Sequence, residues 1–187
     1  MTTSIWSNFA TDLTRWAENR LVNRRDAWGA YGRTGTYTAP PLDRRGKEFL
    51  DHNRLVNHFS GRGSIGVHAI APAGTCLWNA FDIDKHNDEA NQATNWMTVQ
   101  RIVEAANAAG LEAIVEDSNG DGGFHVWILF SEAIPSDIAY RLSKYLAKTA
   151  QASGIECFPK QSGLTPDKRF GNWLRVPGKH HRRDHWS

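Results

Sequence analysis

Two aspartates stand one residue apart at the end of a mostly apolar stretch, in Phe81-Asp82-Ile83-Asp84. Because side chains two apart on a strand share a face, a strand here would hold both carboxylates side by side. Such a pair repels unless one carboxyl is protonated or a cation bridges the two. Mg²⁺ or Mn²⁺ with oxygen ligands would serve as that bridge, whereas hydrated carboxylates at a strand end are the commoner case.

Further side chains in the C-terminal half have the chemistry to complete such a site. Glu156 supplies a third carboxylate, and His125 lies on another predicted strand. Three carboxylates on neighbouring strands suit two metal ions, which clamp the attacking and leaving oxygens of a phosphoryl displacement. Cationic groups that would neutralise a bound triphosphate follow at Lys160, Arg175 and His180.

A glycine-rich segment, residues 117–123, separates two of the predicted strands. Its glycines would let the backbone near Ser118 approach a phosphate, as in backbone anion-binding nests. The commoner structure for such a segment is a plain hairpin turn. Ser118 is therefore a candidate phosphate contact.

Basic residues that would contact a nucleic acid occur in two places. Residues 26–41 interleave aromatic and basic side chains with glycine, Arg33 among them. This composition suits a surface that grips a single strand, and it suits equally a loop or short hairpin whose rings enter the core. The C-terminal basic run adds Lys179 and Arg182 as candidate nucleic-acid contacts.

Composition limits the class of protein. The 187 residues are 40% hydrophobic, which suits one domain or two small lobes that share a core. The net charge is only +2, so a nucleic-acid partner would need locally clustered cations. Cys76 and Cys157 have no second cysteine at ligand spacing, which excludes a zinc knuckle and favours a reducing cytoplasm. No apolar run approaches the length of a membrane span.

Hydrophobic periodicity predicts the elements that position these side chains. A spacing of three and four residues predicts amphipathic helices over residues 1–26 and 43–59, and strand-like alternation begins at residue 65. We therefore divide the chain into an N-terminal helical module, residues 1–64, and a second part, residues 65–187, that contains the candidate metal and phosphate ligands. Together they would form one compact unit.

The region from residue 76 to residue 158 predicts an α+β fold. Strands are expected at 76–84, 111–116, 124–130 and 155–158, with a helix in each of the two longer intervals. This β-α-β-β-α-β order is that of ferredoxin-like and RNA-recognition sheets, here called the palm, with the N-terminal module as a helical and β extension. Right-handed crossovers would place the first strand between the third and the fourth.

That topology brings the acids and the histidine onto adjacent strands. Alternation puts Asp82, Asp84, His125 and Glu156 on the open face of the sheet. Helices would cover the other face, which takes the apolar partners Phe81, Ile83, Phe124, Val126, Ile128 and Ile155.

At these positions the chain resembles the archaeo-eukaryotic primase superfamily, in its compact primase-polymerase branch from plasmids, phages and mobile elements. Residues 81–84 (Phe-Asp-Ile-Asp) are similar to the first motif, an apolar strand ending in Asp-x-Asp or Asp-x-Glu. Residues 123–127 (Gly-Phe-His-Val-Trp) resemble the second, centred on a histidine that contacts nucleotide phosphate. Residues 155–161 resemble the third, which supplies the last metal acid, and residues 171–180 resemble the stretch where Arg and a later His or Lys meet the nucleotide.

The resemblance implies a template-dependent nucleotidyltransferase, a DNA primase and polymerase that joins NTPs or dNTPs with release of pyrophosphate. It implies two Mg²⁺ or Mn²⁺ ions, a single-stranded DNA template and an attached helicase as a further partner. The implied metal ligands are Asp82, Asp84 and Glu156. The implied nucleotide contacts are His125, Lys160, Arg175, His180 and Ser118.

This chain departs from the family pattern at two of these motifs. Gly123 stands where the second motif often has Ser, and Glu156 stands where the third commonly has Asp. The zinc module of some primases is absent, so the resemblance leaves open whether synthesis starts without a primer.

Two other functions remain open from the residues alone. A non-catalytic RNA-recognition-type module would use aromatic side chains on the open face, and alternation allows Trp78, Trp127 and Phe158 to lie there. A metal-dependent nuclease or replication initiator would need a second histidine beside His125 and a nucleophilic tyrosine. Only tyrosines on a predicted helix, Tyr140 and Tyr145, are near in sequence.

Overall fold

The computed structural model describes residues 5–32, 35–39, 49–84 and 92–187. The helices there are α1 Ile5–Asn8, α2 Ala10–Arg20, α3 His52–Phe59, α4 Gln92–Ala108 and α5 Ser136–Thr149. The strands are β1 Trp28–Gly32, β2 Gly35–Ala39, β3 Ile65–His68, β4 Thr75–Ile83, β5 Ile114–Asp117, β6 Phe124–Pro135, β7 Glu156–Phe158 and β8 Trp173–Arg175. Within these ranges no helix is both long enough and apolar enough to cross a membrane.

The palm sheet has the antiparallel order β5-β6-β4-β7. The prediction that the first palm strand lies between the third and the fourth is therefore confirmed. Asp82 pairs in register with His125 on one side and with Glu156 on the other. Helices α4 and α5 cover the opposite face, where Phe81 and Val126 lie in their shared core.

A second sheet has the order β2-β1-β3-β8. Its strands come from both sides of residue 64, because β3 and β8 pair with each other and β3 pairs with β1. One hydrophobic core joins this sheet and the N-terminal helices to the palm, with Leu55 and Phe59 packed in the same cluster as Trp78 and Trp127. The division of the chain at residue 64 stays a prediction.

The N-terminal helix differs from the prediction for residues 1–26. It is interrupted after Asn8, and α2 ends at Arg20. The spacing of three and four residues places Trp6, Phe9, Leu13 and Trp16 on one face of that helix. Trp6 and Leu13 do pack against the core, whereas Phe9 and Trp16 are 55% and 37% exposed. The helix instead buries small side chains three and four residues apart, at Ala10, Thr14 and Ala17. Small side chains let the helix axis approach its neighbours closely, which decides the face that is buried.

The second helix begins later than residue 43. Asp51 is the N-cap of α3, and its Oδ1 accepts a hydrogen bond of 2.8 Å from the backbone N–H of Arg54. Residues 40–48 lie outside the described part of the chain. A carboxylate cap that satisfies an otherwise unpaired N–H sets the start of the helix at His52.

Residues 26–41 contain the predicted hairpin, and the contact of this segment with a single strand stays a prediction. Strands β1 and β2 pair from Trp28 opposite Ala39 to Gly32 opposite Gly35. Trp28 is buried and Tyr31 is half-buried. Arg33 lies outside the described residues, so its predicted contact with nucleic acid stays a prediction.

Candidate active site

A cleft of about 540 Å³ lies where the two sheets meet. This volume is within the range of sites that hold a small molecule. The palm sheet and the segment after it contribute polar groups to its lining, namely Asp82, Asp84, His125, Glu156 and Lys160. The second sheet contributes Tyr31, Trp173 and Arg175, and the C-terminal segment contributes His180, His181, Arg182 and Arg183.

Asp82 is the most buried of the three carboxylates that line the cleft. Its side chain is only 17% exposed, and its Oδ1 has no hydrogen-bond partner within the described part of the chain. His125 Nε2 is 3.6 Å from this oxygen, which is too far for a hydrogen bond. Burial, with repulsion from Asp84 and Glu156, raises the pKa of Asp82 to about 6. An unpaired buried carboxylate oxygen of this kind is suited to a cation.

The other two carboxylates differ from Asp82 in their surroundings. Strand β4 ends at Ile83, so Asp84 lies one residue beyond it and is exposed. Glu156 Oε2 accepts a hydrogen bond of 2.6 Å from Lys160 Nζ. Among the described residues no three His, Cys, Asp or Glu side chains are grouped to hold a metal ion. The carboxylate oxygens of the two aspartates nevertheless have the donor chemistry that divalent cations prefer, while Glu156 is engaged with Lys160.

Glu116, a residue that the sequence analysis did not select, lies behind the cleft and is bonded to two of its lining residues, His125 and Arg175. Its Oε2 accepts from Trp127 Nε1 at 2.8 Å and lies 2.9 Å from His125 Nδ1. Its Oε1 accepts from Arg175 Nη2 at 2.8 Å and from Ser187 Oγ at 2.7 Å. Burial acts to raise the pKa of Glu116, but His125 and Arg175 outweigh it and hold the pKa at about 2.

His125 is buried between two carboxylates. Its Nδ1 faces Glu116 and its Nε2 faces Asp82. Burial lowers the pKa of His125, but the two carboxylates overcome this and raise it above its ordinary value. In the imidazolium form, which both carboxylates favour, the ring presents an Nε2–H donor to the cleft.

Arg175 is held by acceptors of the protein itself. Its Nη2 donates to Ser118 O at 2.6 Å as well as to Glu116, and its Nη1 donates to the carbonyls of Val176 and Gly178 at 3.2 and 3.4 Å. The residue is 4% exposed. This arrangement makes Arg175 a positioning residue for Glu116, and its contact with a triphosphate stays a prediction.

The glycine-rich loop uses its own backbone amides. Asp117 Oδ1 accepts from the N–H groups of Asn119 and Gly120, at 3.3 and 2.8 Å. Asn119 Oδ1 accepts from those of Asp121 and Gly123, at 2.8 and 2.9 Å. These four amides are therefore not free to form the predicted phosphate nest. A phosphate contact from this loop would fall to the hydroxyl of Ser118, which is buried and lines the cleft.

The same contacts give a reason for Gly123 at a position where the family often has Ser. A Cβ at residue 123 would lie 2.2 Å from Asn119 Nδ2 and 3.0 Å from Asp84 Oδ1. No side chain fits there while Asn119 closes the turn. Asn119 thus takes the space that a serine would need.

Two of the three predicted C-terminal residues reach the cleft. His180 and Arg182 line it, whereas Lys179 lines a neighbouring cavity. His180 Nδ1 accepts from the backbone N–H groups of Arg182 and Arg183, both at 3.1 Å, so the ring proton is on Nε2. Burial and the nearby charges of His181 and Arg175 lower the pKa of His180 to about 4. The neutral ring is therefore a hydrogen-bond donor at neutral pH.

An aromatic wall that the sequence analysis missed forms another side of the cleft. The indole of Trp173 lies across the backbones of Gly29 and Gly66, where an added Cβ would be 2.1 Å from its ring atoms. The ring of Tyr31 contacts that of Trp173 edge to face, with 5.5 Å between the ring centres. It stacks on the ring of His181, with 3.9 Å between the centres. The wall provides a flat surface near the polar groups of the cleft.

The aromatic side chains that an RNA-recognition-type module would use on the open face of the sheet are buried. Trp78, Trp127 and Phe158 do lie on the face opposite the helical layer, but each is at most 2% exposed within the shared core. They therefore cannot stack on bases. The tyrosines of the initiator alternative, Tyr140 and Tyr145, are on α5, which covers the other face of the sheet from His125.

Comparisons with known proteins agree with this geometry. Residues 33–187 match the sequence profile described as the TOTE conflict system, archaeo-eukaryotic primase domain. The polymerase domain of Mycobacterium tuberculosis ligase D in complex with DNA has a similar structure, with a TM-score of 0.53 and 14% sequence identity over 96% of this chain and 77% of that one. At this identity the likeness shows the fold. No curated protein matches the sequence.

Proposed function

Because the chain belongs to the archaeo-eukaryotic primase domain family of TOTE conflict systems, we propose that it is a primase-polymerase acting on a single-stranded DNA template. The 3′-oxygen of one nucleotide would attack the α-phosphorus of an incoming NTP or dNTP. The bond to the β-phosphate would break, and pyrophosphate would leave. The observation that carries the proposal is the buried, unpaired Oδ1 of Asp82 in a nucleotide-sized cleft that also has cationic and aromatic lining residues.

The acids would hold the metal ions. Two Mg²⁺ or Mn²⁺ ions would lower the pKa of the attacking hydroxyl and neutralise charge on the leaving pyrophosphate. Asp82 and Asp84 are the ligands that the described geometry supports best. Glu156 would join them when Lys160 exchanges its carboxylate partner for a phosphate of the nucleotide.

The remaining side chains would bind and orient the triphosphate. His125 would donate from Nε2 to a phosphate oxygen, with Glu116 holding the ring in place and in its charged form. His180 and Arg182 would donate from the C-terminal segment. Such charge-assisted hydrogen bonds are stronger than neutral ones, and they would stabilise the charge that develops on the leaving group.

The test is nucleotide incorporation on single-stranded DNA with Mg²⁺ or Mn²⁺, with and without a primer. Asp82→Asn/Asp84→Asn should lower the rate by about 100-fold or more, because several kcal/mol of transition-state stabilisation are lost. Removal of the metal with EDTA should have the same effect on the wild-type protein. Asp137→Asn is the matched control, since Asp137 is an exposed carboxylate on α5.

Other outcomes would contradict the proposal. A wild-type protein that binds single strands but makes no product under any of these conditions would favour a binding module. A template shortened in a manner that depends on Asp82 and Asp84 would favour a nuclease. Products formed without a primer would add primase activity to polymerase activity.

A further inference from the structure

A second cavity of about 530 Å³ lies on the other side of the aromatic wall. It shares three lining residues with the catalytic cleft, namely Tyr31, His180 and His181. The acids of the palm sheet do not line it, since Asp82, Asp84 and Glu156 belong to the cleft alone. The second cavity is therefore adjacent to the site of chemistry and separate from its carboxylates.

The charge of this cavity has one sign. Arg54, Arg62 and Lys179 line it, and none of its described lining residues is Asp or Glu. Like charges gathered in a concave surface focus a positive potential. The cavity is thus suited to an anion, in contrast to the cleft, where acids and cations face each other.

Two of its cations have little to bind within the protein. Arg62 is exposed, and its side chain forms no hydrogen bond or ion pair with the described residues, although its backbone N–H donates to Asn57 O. Lys179 Nζ is 3.8 Å from Asp184 Oδ1, whose side chain is 97% exposed. An ion pair so long and so well solvated stabilises little. Both cations are available to a ligand.

A buried donor in the cavity also has no partner. Trp28 is 8% exposed, and its indole N–H has no acceptor among the described residues. The guanidinium of Arg54 lies 4.9 Å from the centre of that ring. A buried N–H without an acceptor costs free energy, which an oxygen of a bound ligand would recover.

We propose that the second cavity binds the phosphate backbone of a nucleic-acid strand as it passes the wall formed by Tyr31 and His181. Arg62 and Lys179 would pair with phosphate oxygens, and Trp28 would donate its N–H to an oxygen of the strand. A polynucleotide is favoured over a free nucleotide because the cavity adjoins the catalytic cleft and lacks its carboxylates. The identification of the strand as a DNA template rests on the proposed function. Binding of the strand in this cavity does not require catalysis.

The test measures the affinity of a fluorescent oligothymidine strand over a range of salt concentrations, without metal or nucleotide. Arg62→Ala/Lys179→Ala should weaken binding by about tenfold at low salt. It should also reduce the slope of log K against log salt by about 1.4, that is about 0.7 for each lost phosphate contact on a single strand. Arg101→Ala/Lys148→Ala is the matched control, because it removes the same charge from exposed positions on α4 and α5.

Trp28→Phe separates the hydrogen bond from the charge. It keeps an aromatic ring and removes the N–H, so it should weaken strand binding by several-fold and leave the salt slope unchanged. Circular dichroism checks that the variant folds. A Trp28→Phe protein with wild-type affinity would show that the indole N–H does not bind the strand, and would contradict this part of the proposal.

The proposal is overturned if Arg62→Ala/Lys179→Ala has the affinity and salt slope of the control. It is also overturned if this variant binds ATP more weakly but the strand normally, which would assign the cavity to a free nucleotide. Incorporation assays on the same proteins keep the two proposals distinct. Strand binding that depends on Arg62 and Lys179 in a protein that incorporates nothing would support this site and contradict the proposed function.

Discussion

Asp82 combines burial with the repulsion of neighbouring acids, a combination that disfavours its charged form in the absence of a cation. The rise in its pKa from the ordinary 3.8 to about 6 corresponds to a destabilisation on the order of 1 to 3 kcal/mol at neutral pH. The folded protein binds this proton more tightly than the unfolded chain does. Stability contributed by protonation of Asp82 therefore increases as the pH falls from above 6 towards 4.

Asp82→Asn should accordingly stabilise the metal-free protein at neutral pH, by an amount on the order of 1 to 3 kcal/mol. The difference from wild type should shrink as the pH falls towards 4, because the wild-type carboxyl then becomes neutral in the fold. Urea denaturation in the presence of EDTA measures both effects. A variant that is no more stable than wild type at neutral pH would show that the charged Asp82 carboxylate does not destabilise the folded protein.

Glu116 is expected to act through His125. In Glu116→Gln the charge that raises the pKa of His125 most is removed, so the pKa of the ring should fall and a smaller fraction of it should be protonated at neutral pH. The variant should show a higher KM for the nucleotide, with activity partly recovered as the pH is lowered. Steady-state kinetics across pH, with the exposed Glu112→Gln as control, checks this. A pH profile identical to that of the wild type would contradict the positioning role.

Strands β1, β3 and β8 form the aromatic wall because two glycines face each other beneath Trp173. Gly29 and Gly66 are register partners, and each leaves the space that the indole occupies. Gly66→Ala should destabilise the fold by about 1 to 3 kcal/mol, since the added methyl group overlaps the ring. Gly154→Ala, where an added Cβ meets no atom within 4 Å, is the control.

A double-mutant cycle makes this prediction specific. In a Trp173→Ala background, Gly66→Ala should cost much less than in the wild type, because the ring it overlaps is gone. Chemical denaturation of the four proteins gives the coupling free energy. Additive costs would mean that the glycine is needed for another reason, such as the strand backbone itself.

The part of the site that lies on adjacent palm strands could be predicted from the alternation of apolar and polar residues. The positions of Asp82, His125 and Glu156 follow from a side-chain period of two, which is local, and from the crossover rule, which needs only the order of the elements. The helix faces were harder to predict, because small side chains decide which face is buried. Phe9, for example, is exposed while Ala10 is buried.

The contacts that sequence reasoning missed join distant parts of the chain. Glu116 is bound by Arg175 and Ser187, which lie 59 and 71 residues further along. A lone acid at the end of a strand usually faces solvent, so its type and spacing gave no signal. Its register opposite His125 across a six-residue turn was the one local indication. Trp173 likewise gains its role only when β8 joins β3.

The protein as a whole is joined by a core that crosses the predicted boundary at residue 64. Leu55 of α3 is fully buried in the cluster that contains Trp78 and Trp127. We expect one cooperative unfolding transition, with coincident curves from circular dichroism and tryptophan fluorescence. Leu55→Ala should lower the free energy of unfolding by about 2 to 5 kcal/mol and should shift both curves together. A separate early transition that alone responds to Leu55→Ala would show that the N-terminal module unfolds independently.

The assignment of the cleft to nucleotidyl transfer is tested most directly by the fate of the triphosphate. We would measure pyrophosphate and orthophosphate release together with incorporation, on a single-stranded DNA template with Mg²⁺ or Mn²⁺. One pyrophosphate for each nucleotide incorporated, lost in Asp82→Asn and retained in Asp137→Asn, is the predicted result. Release of orthophosphate without incorporation, or product formation that survives Asp82→Asn, would contradict it.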